Sequence, residues 1–328
     1  MTAQKASPTI SVIVDTYNQA RFITQAIDSV LEQTFDRKDL EIIIVDDGSD
    51  DGTDEIIRGR YKNAVTYIYQ PNSGQASALN TGFQLAHGEY IALLDADDYW
   101  RQDKLKIVLD AFARFKLDVV AHNLKIVGSN QTEKLYFPYR SVGWLQGPLA
   151  PTSGMVFTRA VAGRLNPIPL AFTTSADLFM MCLIELAGWK VLFDCAPLGS
   201  YRFHDTNLYS GNTTAAKVER QLATYVAMLD WLNDPKNIQQ RAIPVAEPGM
   251  RVLRMKTGLR SRVHEIRIRN GTSIQILLEI LQQLKSDPCD VVTLLRLMLF
   301  ATSERAYRRV ARTYHQIKIS RQPIISEQ

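Results

Sequence analysis

Cysteine and histidine are scarce in this chain of 328 residues. The three cysteines, Cys182, Cys195 and Cys289, stand far apart, and neither a CxxC pair nor an HExxH motif occurs. These absences speak against a disulfide framework and against a zinc site of cysteine and histidine ligands. The chain also lacks the run of about 18 consecutive apolar residues that a membrane-spanning helix needs. Together with a polar N-terminus, these features predict a cytoplasmic protein.

Two glycine-rich nucleotide-binding motifs are missing as well. No GxxxxGK[ST] occurs, and no GxGxxG follows the first predicted strand. A P-loop and a dinucleotide-binding fingerprint are therefore excluded. A nucleotide bound by this chain is expected to be held by carboxylates, a metal and an aromatic side chain.

Positive charge is scarce in residues 1–235, which hold 21 Lys and Arg against 27 Asp and Glu. Residues 236–328 hold 17 against 7, so the net charge of +4 averages an acidic part and a basic part. The hydrophobic content of 46% is enough for a sizeable core. Length and charge together predict a large catalytic domain followed by a basic extension.

Apolar runs and segments with helical spacing alternate along residues 10–100. This alternation predicts an α/β fold whose mostly parallel, twisted sheet is flanked by helices. The predicted strands are residues 10–14, 41–45, 65–69 and 90–94, and predicted helices cover residues 22–31 and 77–86. Because ligands bind beyond the carboxyl ends of parallel strands, three acidic segments are expected to share one edge. These segments are Asp15-Thr16-Tyr17, Asp46-Asp47 and Asp95-Ala96-Asp97-Asp98.

Acidic side chains gathered at one edge would repel one another, which favours a cation between them. Asp95 and Asp97 follow a buried strand with one residue between them. Carboxylate oxygens in this arrangement suit Mg²⁺ or Mn²⁺, which also bridge to phosphate oxygens. Such a cation would neutralise a departing diphosphate.

Four segments together resemble glycosyltransferase family 2. They are Ile10–Asn18 (ISVIVDTYN), Glu41–Thr53 (EIIIVDDGSDDGT), Gln70–Asn80 (QPNSGQASALN) and Gly88–Trp100 (GEYIALLDADDYW). They occur in that family's order and spacing, and the resemblance covers about residues 8–210. It implies the GT-A fold and an inverting sugar transfer from a nucleotide-diphosphate sugar, most often UDP-linked. The implied acceptor is a hydroxyl of a glycan or of a lipid-linked molecule.

The resemblance also implies residue roles around the nucleotide. Asp15, Thr16 and Tyr17 are expected to form the first nucleotide contact, with Tyr17 against the base, and Asp47 to accept a hydrogen bond from a base N–H. Gln75 and Asn80 would be neutral donors beneath the nucleotide. Many family members have arginine where this chain has Leu79, so no cationic phosphate contact is expected from that helix.

The acidic segment after the fourth strand is expected to serve both donor and metal. By resemblance, Asp95 lies near the ribose and the metal, with Ala96 beside it, and Asp97 is the direct metal ligand. Asp98 either touches the donor sugar or caps the next helix. His204, in the segment Tyr201-Arg202-Phe203-His204, would be a third metal or phosphate ligand, while Arg202 is either a phosphate contact or part of an ion pair.

Inverting transfer needs a base for the acceptor hydroxyl. The resemblance assigns this role to Asp177, where the family's usual Glu-Asp pair has become Ala176-Asp177. The start of the predicted helix is expected to lower the pKa of Asp177. Two alternatives stay open: Asp177 serves only the helix dipole, or the chain is a catalytically silent protein that binds nucleotide sugars.

The predicted domains are a catalytic domain at residues 1–210 and a basic α-helical extension at residues 211–328. Within the first, residues 8–100 would bind the nucleotide sugar and residues 101–210 would supply the acceptor side and the base. The extension is expected to pack on the catalytic domain, to contact an anionic membrane peripherally, or to bind a protein partner. No nucleic-acid partner is expected, because no binding module is visible. The extension's predicted features are a helix at 218–232, an apolar stripe (Val252, Met255, Leu259, Val263, Ile266) and a cationic face (Arg305, Arg308, Arg309, Arg312).

Overall fold

The computed structural model describes residues 8–128, 134–135, 150–172, 175–204, 207 and 215–241, and also five helical residues between 252 and 263. The strands are β1 (Ile10–Thr16), β2 (Leu40–Asp46), β3 (Thr66–Tyr69), β4 (Tyr90–Asp95), β5 (Tyr99–Trp100), β6 (Val119–Val127), β7 (Lys134–Leu135), β8 (Met155–Thr158) and β9 (Val191–Arg202). The helices are α1 (Ile23–Leu31), α2 (Thr53–Tyr61), α3 (Gln75–Leu85), α4 (Lys104–Phe115), α5 (Arg159–Leu165), α6 (Ala176–Ala187), α7 (Ala215–Asn233) and α8 (Pro235–Gln239).

One sheet joins all of these strands, in the order β3-β2-β1-β4-β8-β6-β9-β5, with β7 paired to β6. Strands β1 to β4 run parallel, which confirms the predicted arrangement. The other half is mixed, since β8 lies antiparallel to both β4 and β6, while β9 runs parallel to β6. The four strands of the parallel half agree with the prediction from sequence, whereas those of the mixed half were not predicted.

Helices cover both faces of the parallel half. The apolar residues of α1, spaced three and four apart, pack with alternate residues of β1 and β2 on one face. On the other face α3 packs Leu79 and Phe83 against Ile13. A Cβ at Gly82 would lie 2.4 Å from Ile13 Cγ2, so this glycine lets α3 approach β1 closely. Strand β1 is therefore buried on both sides and reads as a nearly continuous apolar run.

The register of the parallel strands brings the acidic segments together. Asp15 at the end of β1 is paired with Asp95 at the end of β4, and Thr16 is paired with Asp46 at the end of β2. The predicted meeting of three acidic strand ends at one edge is thus confirmed. This edge, called the carboxyl edge below, carries the candidate site.

The start of the predicted extension packs on the rest of the chain. Helix α7 confirms the helix predicted at 218–232 and contributes Met228 and Trp231 to a core shared with α6. The ring of Trp231 meets that of Phe179 edge-on, with centroids 5.2 Å apart. Of the predicted apolar stripe, Val252, Met255, Leu259 and Val263 are helical and join the same core. Ile266 and the arginines at 305–312 lie outside the described residues.

Among the described residues, no helix is both long and apolar enough to cross a membrane.

Candidate active site

A cavity of about 610 Å³ opens at the carboxyl edge of the sheet. That volume lies within the range of small-molecule sites, about 300–1,000 Å³. Nine residues predicted for the site line it: Asp15, Thr16, Tyr17, Asp47, Gln75, Asp95, Ala96, Asp97 and Asp177. Three others, Asn80, Asp98 and His204, are not among the lining residues.

The charge of the cavity is one-sided. Five aspartates line it, at positions 15, 47, 95, 97 and 177, and no lysine, arginine or histidine of the described chain does so. Leu79, which stands where many family members have arginine, is fully buried in the core and supplies no charge. An anionic ligand in this cavity therefore needs a cation that the described lining does not supply.

The acidic turn after β4 has the composition of a divalent-cation site. One carboxylate oxygen each from Asp95, Asp97 and Asp98 lies within 4.8 Å of the others. Burial raises the pKa of Asp95 well above its ordinary value, and repulsion from Asp15 and Asp98 raises it further. Buried like charges of this kind are relieved by protonation or by a bound cation. Oxygen ligands at this spacing fit Mg²⁺ or Mn²⁺.

Asp98 has a different task from the two that were predicted. Its Oδ2 accepts a hydrogen bond from the Ser153 hydroxyl at 2.7 Å, and its Oδ1 accepts one from the Arg202 backbone N–H at 2.9 Å. It is fully buried, and the N-cap of α4 is Asp103. Asp98 therefore neither lines the cavity nor caps the next helix. It ties the acidic turn to Ser153 and to the end of β9.

Asp97 is held by a segment that arrives about a hundred residues later in the chain. His204 Nε2 lies 3.0 Å from Asp97 Oδ2, and Asn207 Nδ2 lies 3.3 Å from the same oxygen. The His204 ring packs against Phe22, with centroids 4.7 Å apart. His204 thus contacts Asp97, the predicted metal ligand. The group of side chains that could hold a metal consists of Asp95, Asp97 and Asp98 and does not include His204. Asn207 lines the cavity, although no role was predicted for it from sequence.

Arg202 supports the same turn from outside the cavity lining. Its Nε donates to the Asp97 carbonyl at 2.9 Å, and its guanidinium lies 4.8 Å from the centroid of the Phe22 ring. It does not line the cavity, and its charge also interacts favourably with the carboxylate of Asp98.

Asp15 and Thr16 bring polar atoms without partners to the cavity. Among the described atoms, Asp15 Oδ1 and Thr16 Oγ1 are buried and have no hydrogen-bond partner. Burial raises the pKa of Asp15 to about 7, against a hydrogen bond from Gln75 that favours the charged form. Gln75 Nε2 also donates to Asp95 Oδ1 at 3.1 Å. Such atoms are available to a ligand at little further cost in protein hydrogen bonds.

Asp47 already has protein partners. It accepts hydrogen bonds from the backbone N–H groups of Ser73 and Gly74 and from Gln70 Nε2, at 2.7 to 3.1 Å. A base N–H, predicted to bind this carboxylate, would have to share it with these donors. Gly48 is required beside it, because φ is +88° and a Cβ would lie 2.7 Å from Asn72 N.

Asp46 and Asn80 are also held by protein contacts. Asp46 accepts hydrogen bonds from the Ser49 N–H at 2.8 Å and the Tyr67 hydroxyl at 2.7 Å, so it supports the turn. The prediction that Asn80 lies beneath the nucleotide is not met. Its side-chain amide exchanges two hydrogen bonds with the backbone of Ile168, at 2.8 and 2.7 Å, and so joins α3 to the segment after α5.

Tyr17 lines the cavity, and 49% of its surface is exposed. An aromatic ring must be exposed in this way if a nucleotide base is to stack on it.

Asp177, at the start of α6, lines the cavity and influences Asp95 electrostatically. Burial raises its pKa to about 6, although the Leu178 N–H donates to Oδ1 at 2.8 Å. The expected lowering by the helix N-terminus is therefore wrong, because the loss of hydration outweighs it. A carboxylate with this pKa is ionised at neutral pH and more basic than an exposed aspartate.

Ser153 is the structural residue that sequence reasoning missed. Its hydroxyl accepts a hydrogen bond from the Asp95 N–H at 3.0 Å while donating to Asp98. Its proximity to the acidic turn depends on the pairing of β8 with β4, which local sequence does not reveal.

Comparison with known proteins agrees with this geometry. Residues 11–149 match the family model described as Glycosyl transferase family 2. An uncharacterized glycosyltransferase of Nostoc sp. is 34% identical over 244 residues, which is 69% of this chain and 74% of that protein. The chondroitin synthase of Escherichia coli is 39% identical over 112 residues, 34% of this chain and 16% of that protein.

Solved structures share the fold. S. aureus TarS 1-349 superposes with a TM-score of 0.59 at 20% identity, covering 91% of this chain and 82% of that one. The same protein is known in complex with UDP-GlcNAc, with a TM-score of 0.56. The mannosyltransferase PcManGT from Pyrobaculum calidifontis, in complex with GDP-Man and Mn²⁺, gives a TM-score of 0.50 at 17% identity, covering 91% of this chain and 88% of that one.

Proposed function

The chain belongs to glycosyltransferase family 2 and has the GT-A fold, and on this premise we propose a metal-dependent, inverting sugar transfer from a UDP-linked donor. The proposed acceptor is a hydroxyl of a glycan or of a lipid-linked molecule. The cavity at the carboxyl edge would hold the donor and the reacting acceptor group.

One observation carries the metal dependence. Five aspartates line the cavity, and no cationic side chain of the described chain joins them. A nucleoside diphosphate would add further negative charge to the same space. Asp97 and Asp95 would hold Mg²⁺ or Mn²⁺, with Asp97 kept in place by His204 and Asn207. When bound, the cation neutralises charge on the departing diphosphate.

The choice of UDP rests on Tyr17 and on neighbouring structures. Tyr17 offers an exposed ring at the rim, beside the loop that Asp47 holds. A structural neighbour binds UDP-GlcNAc, while another binds GDP-Man with Mn²⁺, so guanosine is the competing base. The free atoms of Asp15 and Thr16 are suited to donor hydroxyl groups.

Asp177 is the proposed base. The acceptor oxygen attacks the anomeric carbon as the bond from that carbon to the diphosphate oxygen breaks, and the acceptor proton passes to the Asp177 carboxylate. The raised pKa makes Asp177 a stronger proton acceptor than an exposed aspartate. The presence of this carboxylate in the cavity lining favours a catalytic protein over the catalytically silent alternative.

A donor screen tests the proposal. Purified protein is incubated with Mn²⁺ and with UDP-sugars or GDP-sugars, and both thermal stabilisation and release of the nucleoside diphosphate are followed. We expect stabilisation and slow release with a UDP-sugar, and loss of both when EDTA is added. Stabilisation without any turnover, even with candidate acceptors, would favour the silent alternative, and preference for a GDP-sugar would overturn the choice of base.

For the extension we propose peripheral contact with an anionic membrane, based on the excess of basic residues at 236–328. The protein is expected to co-sediment with anionic vesicles and not with neutral ones. Equal behaviour with both kinds of vesicle would overturn this part of the proposal.

A further inference from the structure

Lys104 is a lysine in an unusual place. It begins α4, and its side chain is fully buried. Burial lowers the pKa of its amine well below the ordinary value, and no carboxylate of the described chain forms an ion pair with it. Lysine is almost never fully buried without a charged partner, so a specific contact is expected to hold it there.

The amine contacts a backbone carbonyl and an aromatic ring. Lys104 Nζ donates a hydrogen bond to the Ser153 carbonyl at 3.3 Å, and it lies 3.0 Å from the centroid of the Trp100 ring. Trp100 Nε1 donates to the same carbonyl at 2.9 Å. An amine can donate to a carbonyl in either protonation state. Two buried side chains thus converge on one backbone oxygen.

Ser153 passes this restraint to the acidic turn. Its hydroxyl binds Asp98 at 2.7 Å and the Asp95 N–H at 3.0 Å, so one residue joins the buried amine to both flanks of Asp97. The next residue, Gly154, has no room for a side chain, because a Cβ would lie 2.4 Å from the His122 carbonyl oxygen. The turn at 152–154 is therefore clamped between β6 and the start of α4.

We propose that Lys104 is a positioning residue, which fixes the Ser153 turn and through it the Asp95–Asp98 segment in the arrangement that receives the cation. It touches neither the cavity nor the aspartates, so its effect would pass through its contacts with Ser153 and Trp100. The expected effect on kcat rests on the proposed function. The expected restraint of the acidic turn rests on the hydrogen bonds alone.

The main variant is Lys104→Met, which keeps the length of the side chain and removes the amine. Its matched control is Lys106→Met, two residues along the same helix and exposed. We expect Lys104→Met to weaken Mn²⁺ binding and lower kcat by about 10- to 100-fold, as outer-shell changes do at metal sites, with a smaller change in donor KM. Mn²⁺ binding is measured by titration calorimetry on the protein without donor, and Lys106→Met should match the unchanged chain.

Amide hydrogen exchange gives a readout that does not depend on turnover. Peptides covering residues 93–101 should exchange faster in Lys104→Met than in the unchanged chain or in Lys106→Met. A purely structural lysine would alter thermal stability and leave exchange in this segment, Mn²⁺ affinity and kcat unchanged, and that result would overturn the proposal. If the unchanged protein turns over no nucleotide sugar, the proposed function fails, and the exchange comparison still decides the role of Lys104.

A second variant covers the case in which Lys104→Met does not fold. Trp100→Phe keeps an aromatic ring and removes the N–H that donates to the Ser153 carbonyl. We expect the same direction of change in exchange and in Mn²⁺ affinity, with a smaller amplitude. Unchanged exchange at residues 93–101 in this variant would also count against the proposal.

Discussion

Polar side chains lie at both edges of the parallel half of the sheet. At one edge they hydrogen-bond to one another, and at the other they include atoms without a hydrogen-bond partner among the described residues. At the amino edge, Ser11, Glu41 and His87 bind one another. Ser11 Oγ donates to Glu41 Oε2 at 2.5 Å, and the backbone N–H and ring of His87 bind the same carboxylate at 2.8 and 3.0 Å. At the carboxyl edge, aspartates lie side by side, and atoms of Asp15 and Thr16 have no partner among the described residues.

The difference appears in the carboxyl groups themselves. Although burial opposes it, hydrogen bonds from His87 and Ser11 lower the pKa of Glu41. Burial raises the pKa of Asp15, Asp95 and Asp98. The amino edge is a finished network that stabilises the fold. The carboxyl edge crowds carboxyl groups whose charged forms are disfavoured by burial, which lowers the stability of the protein without a ligand.

The largest expected effect comes from the carboxyl edge. Asp97→Asn should lower sugar transfer by about 1,000-fold or more, because a metal ligand and its charge are lost and transition-state charge goes unbalanced. Thermal stability without Mn²⁺ should be equal or higher, since one of several like charges in the acidic turn is removed. Steady-state kinetics and thermal unfolding check this, with Asp110→Asn, on the exposed side of α4, as the control. Near-normal transfer by Asp97→Asn would show that the comparison between the edges is wrong.

Asp177→Asn should reduce kcat by about 100-fold or more, the usual contribution of a general base. In the unchanged enzyme kcat/KM should rise with pH and level off above about 6, because a raised pKa means that the base is protonated and inactive below that value. A pH–rate profile measures this. A profile that stays flat down to pH 4 would mean that the helix dipole prevails over burial after all.

At the amino edge, Glu41→Gln should lower the free energy of unfolding by about 1 kcal/mol at pH 7 and leave kcat within about twofold, because a charge-assisted network is weakened away from the cavity. The folded-state pKa is lowered, so the stabilisation is present above the ordinary value of 4.5 and is lost as the pH falls. Urea unfolding at pH 7 and pH 4 should therefore show a difference between variant and parent at pH 7 that shrinks at pH 4. A constant difference would refute the ionic part of the network.

The smallest effect is expected at the rim. Tyr17→Ala should raise the donor KM by about five- to tenfold, the equivalent of roughly 1 kcal/mol of lost stacking, with little change in kcat. Tyr69→Ala is the matched control, because Tyr69 is similarly exposed, at 54% against 49%, and does not line the cavity. Equal effects of the two substitutions would remove Tyr17 from the nucleotide contact.

The sequence predicts the strands of the parallel half and their acidic ends, but not the contacts between residues that are far apart in the chain. Strands β1, β2 and β4 are predicted by apolar runs that stop at an acidic residue. For this reason the sequence alone places Asp15, Asp95 and their neighbours at one edge of the sheet. Asn80 and Asp98 could not, because their partners, Ile168, Ser153 and Arg202, lie 55 to 104 residues away. The pKa of Asp177 also escaped prediction, since burial of a helix start depends on the packing around it.

The clamp on the acidic turn has a consequence for the order in which the protein is made. A nascent chain that has emerged as far as β4 contains Asp95 and Asp97, yet it still lacks Ser153, Arg202 and His204. These residues must close loops of many tens of residues before the turn is restrained, and such distant contacts form late and slowly. Under the proposed function, the growing polypeptide would therefore acquire the arrangement that receives a cation only after residues 202–204 have been made. Shorter translation products would then be expected to bind neither metal nor donor.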